Sequence, residues 1–265
     1  MRIARYSVDD TIHYGVVELE QDGAGNPDTV SDLSGDPFSG GVKLTGVRHG
    51  LDVVRLLAPV IPRSKVIGIA KNSMPGRKAP PETQSIPSFF LKPNTSVIGP
   101  GEAVQVPSLS TDTVAEAEVA IVIGRICRSV PRERVPEVIF GYAAANDVTA
   151  RDHIQDGIPW GVAKCWDTFT PLGPWIATHL SLEEASSLGV AARVNGETVA
   201  TGTTKSLIHG IADIVSFVSS VMTLLPGDLI LTGAPGGAAP IRPGQEVAID
   251  IDELGVLANP VVGEA

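Results

Sequence analysis

The sequence predicts a mainly β (α+β) protein that combines many short strands with one long helix. Three observations support this fold class. Apolar runs rich in valine and isoleucine are short and end at glycine or proline, which is typical of buried strands. The dipeptide Asn195-Gly196 lies between two such runs and supplies the positive φ angles of a tight hairpin. Apolar residues recur at helical spacing from Ser206 to Leu224, and this stretch is the one long amphipathic helix that we expect.

In chain order, the first predicted unit is a small β-rich module over residues 1–55, with a strand from Ile12 to Glu20. A main domain is expected over residues 56–265, and it opens with an edge segment whose two prolines argue against a helix. Later in this domain, Ser181 is a candidate N-cap of a helix. The strands that we expect in the main domain are Lys65 to Ala70, Ser88 to Pro93, Ala115 to Ile123 and the segment after Pro243-Gly244.

The composition narrows the class of protein. The chain has 265 residues, with 30 acidic and 20 basic side chains and a formal charge of −10, and no basic cluster is long enough to follow a phosphate backbone. The two cysteines do not have a metal or redox spacing, which favours a reducing compartment. The most apolar run, Ile211 to Leu225, is too short for a membrane span. We therefore expect a cytoplasmic protein without a nucleic-acid or membrane partner.

Two glutamates occupy alternate positions of the predicted strand from Ala115 to Ile123. Because side chains alternate between the faces of a strand, Glu116 and Glu118 point the same way. Adjacent carboxylates on an apolar strand repel each other and lose hydration, unless a cation or several donors meet them. With Asp147 as a third acid, an all-oxygen site would suit Mg²⁺, Mn²⁺ or Ca²⁺ rather than zinc. If only the spacing of the two glutamates is considered, the alternative to a metal site is a half-exposed strand edge on which they form salt bridges.

Four motifs occur in order along the chain: AEAEVAIVIG at 115–124, GYAAANDVTARD at 141–152, KCWDTFTPLGPWI at 164–176 and LLPGDLILTGAPGG at 224–237. Together they resemble the fumarylacetoacetate hydrolase family. The resemblance implies a mixed β-sandwich roll with few helices, often preceded by a small N-terminal β module. It also implies Glu116, Glu118 and Asp147 as ligands of Mg²⁺ or Mn²⁺, with Ca²⁺ able to replace them in crystals. A small-molecule oxo-acid substrate and a homodimer are further expectations from the family.

The resemblance also points to residues that act on the substrate. Lys164 matches the family's active-site lysine, whose cation can hold a carboxylate or an enolate and donate a proton, and a surface lysine is the alternative. Arg151 is a candidate substrate-binding residue, although a structural ion pair explains its match equally well. Lys71 and Thr168 are the other candidates for substrate binding.

The segment after Lys71 departs from the family. Its hydrolytic members carry a His-x-x-Glu dyad that activates the attacking water, and the matching positions here are Gly76 and Ala79, which cannot accept a proton. His153 is our candidate for a replacement base, although a lone histidine is more often structural, and Glu82 is another candidate. A tyrosine, a glutamine and a threonine of the family are also replaced, at Ser73, Ile154 and Ala234.

Three functions follow from this pattern. A metal-dependent decarboxylase, isomerase or related lyase acting on an enolisable oxo acid is the first, because such steps need only an electron sink and a proton carrier. A hydrolase of C–C bonds with a replacement base is the second. A metal- or oxo-acid-binding protein without catalytic activity is the third, and the retained Lys164 argues against it.

Overall fold

The computed structural model describes residues 1–20, 28–73, 86–155 and 159–264. The expected dyad positions, Gly76 and Ala79, and the alternative base Glu82 lie outside the described residues. In the described ranges the chain forms strands, a few short α-helices and several single turns of 3-10 helix. The mainly β fold class is therefore confirmed.

The strands are β1 (Arg2–Val8), β2 (Thr11–Glu18), β3 (Thr29–Leu33), β4 (Leu44–Gly50), β5 (Arg55–Leu57), β6 (Val66–Ala70), β7 (Ser88–Lys92), β8 (Val97–Ile98), β9 (Val104–Val106), β10 (Thr113–Ile123), β11 (Ile139–Asn146), β12 (Thr149–Ala150), β13 (Thr170–Ala177), β14 (Gly189–Val194), β15 (Glu197–Thr203), β16 (Leu229–Leu231), β17 (Ala238–Pro240), β18 (Glu246–Ile251) and β19 (Gly255–Gly263). The α-helices are α1 (Pro37–Gly40), α2 (Gly161–Lys164), α3 (Leu182–Ala185) and α4 (Ile211–Val221). Single turns or short runs of 3-10 helix cover Leu51–Val53, Asn94–Ser96, Arg132–Glu137, Arg151–His153 and Thr204–Ser206.

Two sheets organise these strands. The larger sheet has the order β4-β3-β2-β1-β13-β11-β10-β16-β6-β7, and β5, β8, β12 and β17 pair with its members. The smaller sheet has the order β15-β14-β18-β19-β9. One apolar cluster joins β10 and β11 to the smaller sheet and to α4, and this contact buries one face of each sheet.

Strand β10 lies at the centre of the larger sheet, between β11 and β16. Its alternate residues from Ala115 to Ile123 enter the apolar cluster against the smaller sheet. On the opposite face, Ala120 and Val122 enter a second apolar cluster. Glu116 and Glu118 continue this second face, so the same face of β10 is apolar at one end and acidic at the other.

The helix predicted from Ser206 to Leu224 is shorter in the structure, because α4 covers only Ile211–Val221. Two backbone N–H groups that precede the helix form hydrogen bonds with Asn72. The N–H of Ile208 donates to the backbone carbonyl of Asn72, and the N–H of His209 donates to the side-chain Oδ1 of Asn72, both at 2.8 Å. These donors hold the preceding segment against the loop after β6, and the extended backbone at Leu207 and Gly210 means that the helix starts only at Ile211. The predicted cap at Ser181 is confirmed as a capping box with Glu184.

The N-terminal strands are continuous with the larger sheet, since β1 pairs with β13 through Arg2–Ala177 and Ile3–Ile176. They also form an apolar cluster of their own around Tyr6 and Val17. A division of the chain between residues 55 and 56 stays a prediction. Within the described ranges, the helices lack the length and apolar character that crossing a membrane requires.

Candidate active site

The three predicted acids meet where β10 and β11 end side by side. The antiparallel register places Ala117 opposite Asn146, so Asp147 leaves β11 next to Glu116. The backbone N–H of Asp147 donates to the carbonyl of Glu116 at 2.9 Å. One carboxylate oxygen of each acid lies within 4.8 Å of the oxygens from the other two. The register of the sheet therefore assembles Glu116, Glu118 and Asp147 into one cluster.

Of the three acids, Glu118 is the one whose negative charge is least favourable in the folded protein. It is 3% exposed, and its Oε2 accepts a hydrogen bond of 2.6 Å from the backbone N–H of Gly233. Burial, together with the negative charges of Asp147 and Glu116, raises the pKa of Glu118 well above its ordinary value of 4.5. Gly233 is required at this point because its φ is +99° and a Cβ would lie 2.9 Å from the Cβ of Asn72.

Two lysines contact Asp147 from different sides. Lys164 Nζ donates to Asp147 Oδ2 at 2.5 Å and to Glu116 Oε2 at 2.8 Å. Lys92 Nζ donates to the other oxygen of Asp147, and also to the backbone carbonyl of Phe169 at 2.7 Å. Both ammonium groups are almost completely buried. Asp147 therefore bonds to a cation through each of its two oxygens.

The pKa values of the two lysines shift in opposite directions. Burial lowers the pKa of Lys92, and the attraction of Asp147 only partly opposes this effect. Burial also disfavours the charge of Lys164, but Asp147 and Glu116 outweigh it and raise the pKa of Lys164. For Asp147, burial is outweighed by Lys164 and Lys92, which lower its pKa. Asp147 and Lys164 are thus an ion pair, whereas Glu118 is the acid that lacks compensation.

The donor set fits a hard divalent cation. All three ligands are carboxylates, the group that Mg²⁺, Mn²⁺ and Ca²⁺ prefer, and they converge from two adjacent strands. Burial and then the neighbouring carboxylates raise the pKa of Glu118, and a bound cation would favour its charged form. Thr149 donates its hydroxyl hydrogen to Glu116 Oε2 at 3.0 Å and so orients this carboxylate. Glu116, Glu118 and Asp147 are therefore able to hold one ion.

The acids open into a cavity of about 240 Å³. Its buried part, which we call the floor, consists of Glu116, Glu118, Asp147 and Lys164. Its outer wall consists of Lys71, Ser73, Phe90 and Trp160. This volume lies below the range of about 300–1,000 Å³ that is typical of cavities for drug-sized ligands.

The structure separates the predicted substrate-side residues into two groups. Lys71 lines the cavity and lies over the ring of Trp160, with 5.9 Å between its Nζ and the ring centroid. Arg151 makes a two-point ion pair with Asp112 on the surface, at 2.7 and 3.0 Å. Thr168 Oγ1 accepts from the backbone N–H of Gln105 at 2.9 Å. Arg151 and Thr168 are not among the described residues that line the cavity, and their role in substrate binding stays a prediction.

His153, the candidate base, is also not among the described residues that line the cavity. Its Nε2 is 3.0 Å from the backbone carbonyl of Leu109, which can only accept, so this nitrogen is the donor. Three positions where the chain departs from the family do line the cavity, namely Ser73, Ile154 and Ala234. The departures therefore alter the surface that a substrate would contact.

Sequence reasoning missed several residues of the site. Lys92 was expected only as the end of a strand, yet it is fully buried behind Asp147, while the preceding Leu91 is half exposed. A lysine next to a strand-ending proline was the available signal, but alternation alone does not tell which face is buried. Phe90 and Trp160 were also missed, because loops and sheet edges bring them together from distant parts of the chain.

Comparison with known proteins identifies the family. The sequence model of the protein family described as fumarylacetoacetate (FAA) hydrolase C-terminal matches residues 65–262. The chain belongs to the fumarylacetoacetate hydrolase family. A second model, Rv2993c-like N-terminal, matches residues 1–59. Among curated relatives, Protein Rv2993c of Mycobacterium tuberculosis is 42% identical over 99% of this chain and 98% of its own length. Human oxaloacetate tautomerase FAHD2A, a mitochondrial protein, is 35% identical over 79% of this chain and 70% of its own length.

Solved structures agree with this assignment. The 5-carboxymethyl-2-hydroxymuconate delta-isomerase from Mycobacterium smegmatis is 42% identical, with a TM-score of 0.90 over 100% of both chains. The maleylpyruvate hydrolase from Sphingobium sp. SYK-6, in complex with manganese(II) and pyruvate, is 30% identical, with a TM-score of 0.80 over 100% of both chains. Fumarylacetoacetate hydrolase relatives of this chain thus include an isomerase, a hydrolase and a tautomerase.

Proposed function

We propose that this fumarylacetoacetate hydrolase family member is a Mg²⁺- or Mn²⁺-dependent enzyme that acts on an enolisable 2-oxo acid or β-dicarbonyl carboxylate. The reaction that we favour moves a proton or releases CO₂, by tautomerisation, isomerisation or decarboxylation. The observation that supports this proposal most strongly is the cluster of Glu116, Glu118 and Asp147 with Lys164 at the floor of one small cavity.

The floor suits a reaction in which negative charge develops on an oxygen atom. A divalent ion held by the three acids would supply a Lewis acid for the oxygens of an oxo acid. Lys164 lies in the same floor, where its Nζ donates to Asp147 and Glu116, and its ammonium group would offer an N–H donor to a carboxylate or an enolate oxygen. Lys92 holds the far oxygen of Asp147 and fixes the orientation of this carboxylate. These residues stabilise an enolate without needing an activated water.

Two features favour proton transfer or decarboxylation over hydrolysis. The positions of the water-activating dyad are Gly76 and Ala79, whose side chains cannot act as bases. His153 donates to a backbone carbonyl and is not among the cavity-lining residues. Relatives described as an isomerase and as an oxaloacetate tautomerase are consistent with this preference.

Hydrolysis of a C–C bond is the second candidate, because a maleylpyruvate hydrolase shares the fold over the whole chain at 30% identity. Reaction in H₂¹⁸O separates the two candidates. Hydrolysis places the label in a newly formed carboxylate, whereas tautomerisation and decarboxylation do not. Mass spectrometry of the acid products therefore decides between them.

The direct test is turnover by metal-stripped protein with and without added Mg²⁺ or Mn²⁺. Oxaloacetate and acylpyruvates are the substrates, and loss of enol absorbance and release of CO₂ are followed separately. We expect metal-dependent conversion of at least one of them. Tight metal binding without conversion of any would contradict the proposal and favour a binding protein without catalytic activity.

A further inference from the structure

A second cavity lies at the opposite end of β10 and β11 from the floor. The floor acids lie near the start of β10 and directly after the end of β11. Because these two strands are antiparallel, the segment that joins them, residues 124–138, lies at their other end. This segment lines a cavity of about 360 Å³, which we call the arginine cavity after Arg125, Arg128 and Arg134. Among the described residues, the linings of the two cavities have no member in common.

The arginine cavity is positively charged in a chain whose formal charge is −10. Its lining has three arginines and one acid, Glu137. Arg134 pairs with Glu137, with 2.8 Å between Nη2 and Oε2, so these two charges offset each other. Within the part of the chain that the structure describes, Arg125 and Arg128 form no side-chain hydrogen bond or ion pair. The donors of these two exposed arginines are therefore left to meet a ligand.

Electrostatics places the charges of this cavity close together. The hydrogen bond from Arg134, and more weakly the charge of Arg125, lower the pKa of Glu137. Arg125 and Arg134 thus act on the same carboxylate. An anion with more charge and more oxygens than this one carboxylate would draw on the same groups.

The backbone that carries Arg125 and Arg128 is held in place before any ligand binds. The N–H of Cys127 donates to the carbonyl of Leu224 at 3.0 Å, and the N–H of Leu224 donates back at 2.9 Å. Ser129 has a φ of +50°, and its N–H donates to the carbonyl of Ser219 in α4 at 2.8 Å. A ligand would therefore not have to order this backbone on binding.

We propose that Arg125 and Arg128 bind a phosphoryl group, either as a free phosphate or pyrophosphate ion or as part of a phosphorylated metabolite. A guanidinium group presents its N–H donors in a planar fork that matches two oxygens of a phosphate. A tetrahedral phosphate has enough oxygens for two such forks, whereas a carboxylate has only two oxygens. No aromatic ring is among the described residues that line the cavity, so a nucleotide base would lack a ring to stack on.

Calorimetry of the metal-free protein with phosphate and pyrophosphate tests the proposal, since no bound metal ion can then attract the anion. Malonate is a dicarboxylate of similar charge to phosphate, and AMP adds a nucleoside to the same phosphoryl group. The test variant is Arg125→Gln/Arg128→Gln. Arg55→Gln/Arg242→Gln is the matched control, because it also removes two exposed arginines, and neither is among the residues that line the cavity.

We expect the native protein to bind pyrophosphate more tightly than phosphate, and phosphate more tightly than malonate. Arg125→Gln/Arg128→Gln should raise the Kd for pyrophosphate about tenfold, equivalent to about 1.4 kcal/mol, whereas the control should keep the native Kd. Glu137→Gln should lower this Kd, because it removes the carboxylate that occupies Arg134. All variants should unfold at the native temperature, since only exposed side chains are changed.

Several results would overturn the proposal. They are no binding of pyrophosphate to the native protein, equal Kd values in the two double variants, and malonate binding as tight as that of phosphate. If AMP binds more tightly than phosphate and this binding is lost in Arg125→Gln/Arg128→Gln, the site is supported and its phosphoryl group comes from a nucleotide. None of these readouts depends on turnover, so they test the arginine cavity separately from the proposed function.

Discussion

The floor and the outer wall of the cavity are built in different ways. The floor acids come from β10 and the end of β11, two adjacent strands in the centre of the larger sheet, and their side chains are held by several hydrogen bonds. The wall combines a sheet-edge strand, β7, with the segments around Lys71 and Trp160. Under the proposed function, the sheet would fix the chemistry, while the edge strand and the loops would select the substrate.

The largest expected effect comes from removing a floor acid. Glu116→Ala or Asp147→Asn should weaken Mn²⁺ binding and lower kcat/KM by more than about 100-fold, since even residues outside the ligand set cost up to that much. Calorimetry and steady-state kinetics measure the two effects. Asp250→Asn is the control, because Asp250 pairs with Arg193 in the smaller sheet. If Mn²⁺ binding and turnover were unchanged in both floor variants, the floor would have no role in either, and its proposed difference from the wall would be wrong.

The second effect concerns Lys92, behind the floor. Lys92→Met leaves one oxygen of a buried aspartate without its cation, so it should lower the free energy of unfolding by about 3–5 kcal/mol. Urea denaturation of the metal-free protein measures this change. Arg134→Ala, which breaks an exposed ion pair with Glu137, should have little effect. Equal effects of the two variants would show that the buried pair is not essential to the floor.

The floor could be predicted largely from the sequence, whereas the wall could not. The alternation of side chains on one strand predicted that Glu116 and Glu118 lie together. The sequence motifs added Asp147 and Lys164. Both signals can be read from short stretches of sequence. Phe90 and Trp160 meet only after distant segments fold together, and no local pattern encodes this contact. Strand β2 ends at Glu18 instead of the predicted Glu20, and α4 starts at Ile211 instead of Ser206. Element boundaries therefore depend on tertiary contacts that a local pattern does not encode, such as those of Asn72 with the segment before α4.

The third effect is a dependence of stability on pH that originates in Glu118. Its pKa is raised in the folded metal-free protein, so the folded state binds this proton more tightly than the unfolded state does. Stability from this group is present below its ordinary value of 4.5 and is lost as pH rises toward the raised value.

Glu118→Gln removes this titration. The metal-free variant should therefore unfold at a higher temperature than the native protein near neutral pH, and the difference should shrink toward pH 4. Thermal unfolding followed by circular dichroism between pH 4 and 8 measures it. The same variant should lose metal binding. A variant less stable than the native protein at every pH would contradict the assignment of unbalanced charge to Glu118.

The smallest effect is expected at His153, outside both floor and wall. His153→Ala should change kcat/KM by no more than about twofold, because its ring donates to the carbonyl of Leu109. The pH profile of kcat/KM should keep its shape in this variant. A large fall in kcat/KM, with a changed pH profile, would instead make His153 the proton carrier.

The most direct measurement is anomalous diffraction from crystals of the protein soaked in Mn²⁺. We expect one strong anomalous peak from a Mn²⁺ ion that is bound by oxygens of Glu116, Glu118 and Asp147, with Lys164 in the same cavity. A peak at any other set of residues, or an empty floor at saturating Mn²⁺, would contradict the claim that these three acids hold the ion.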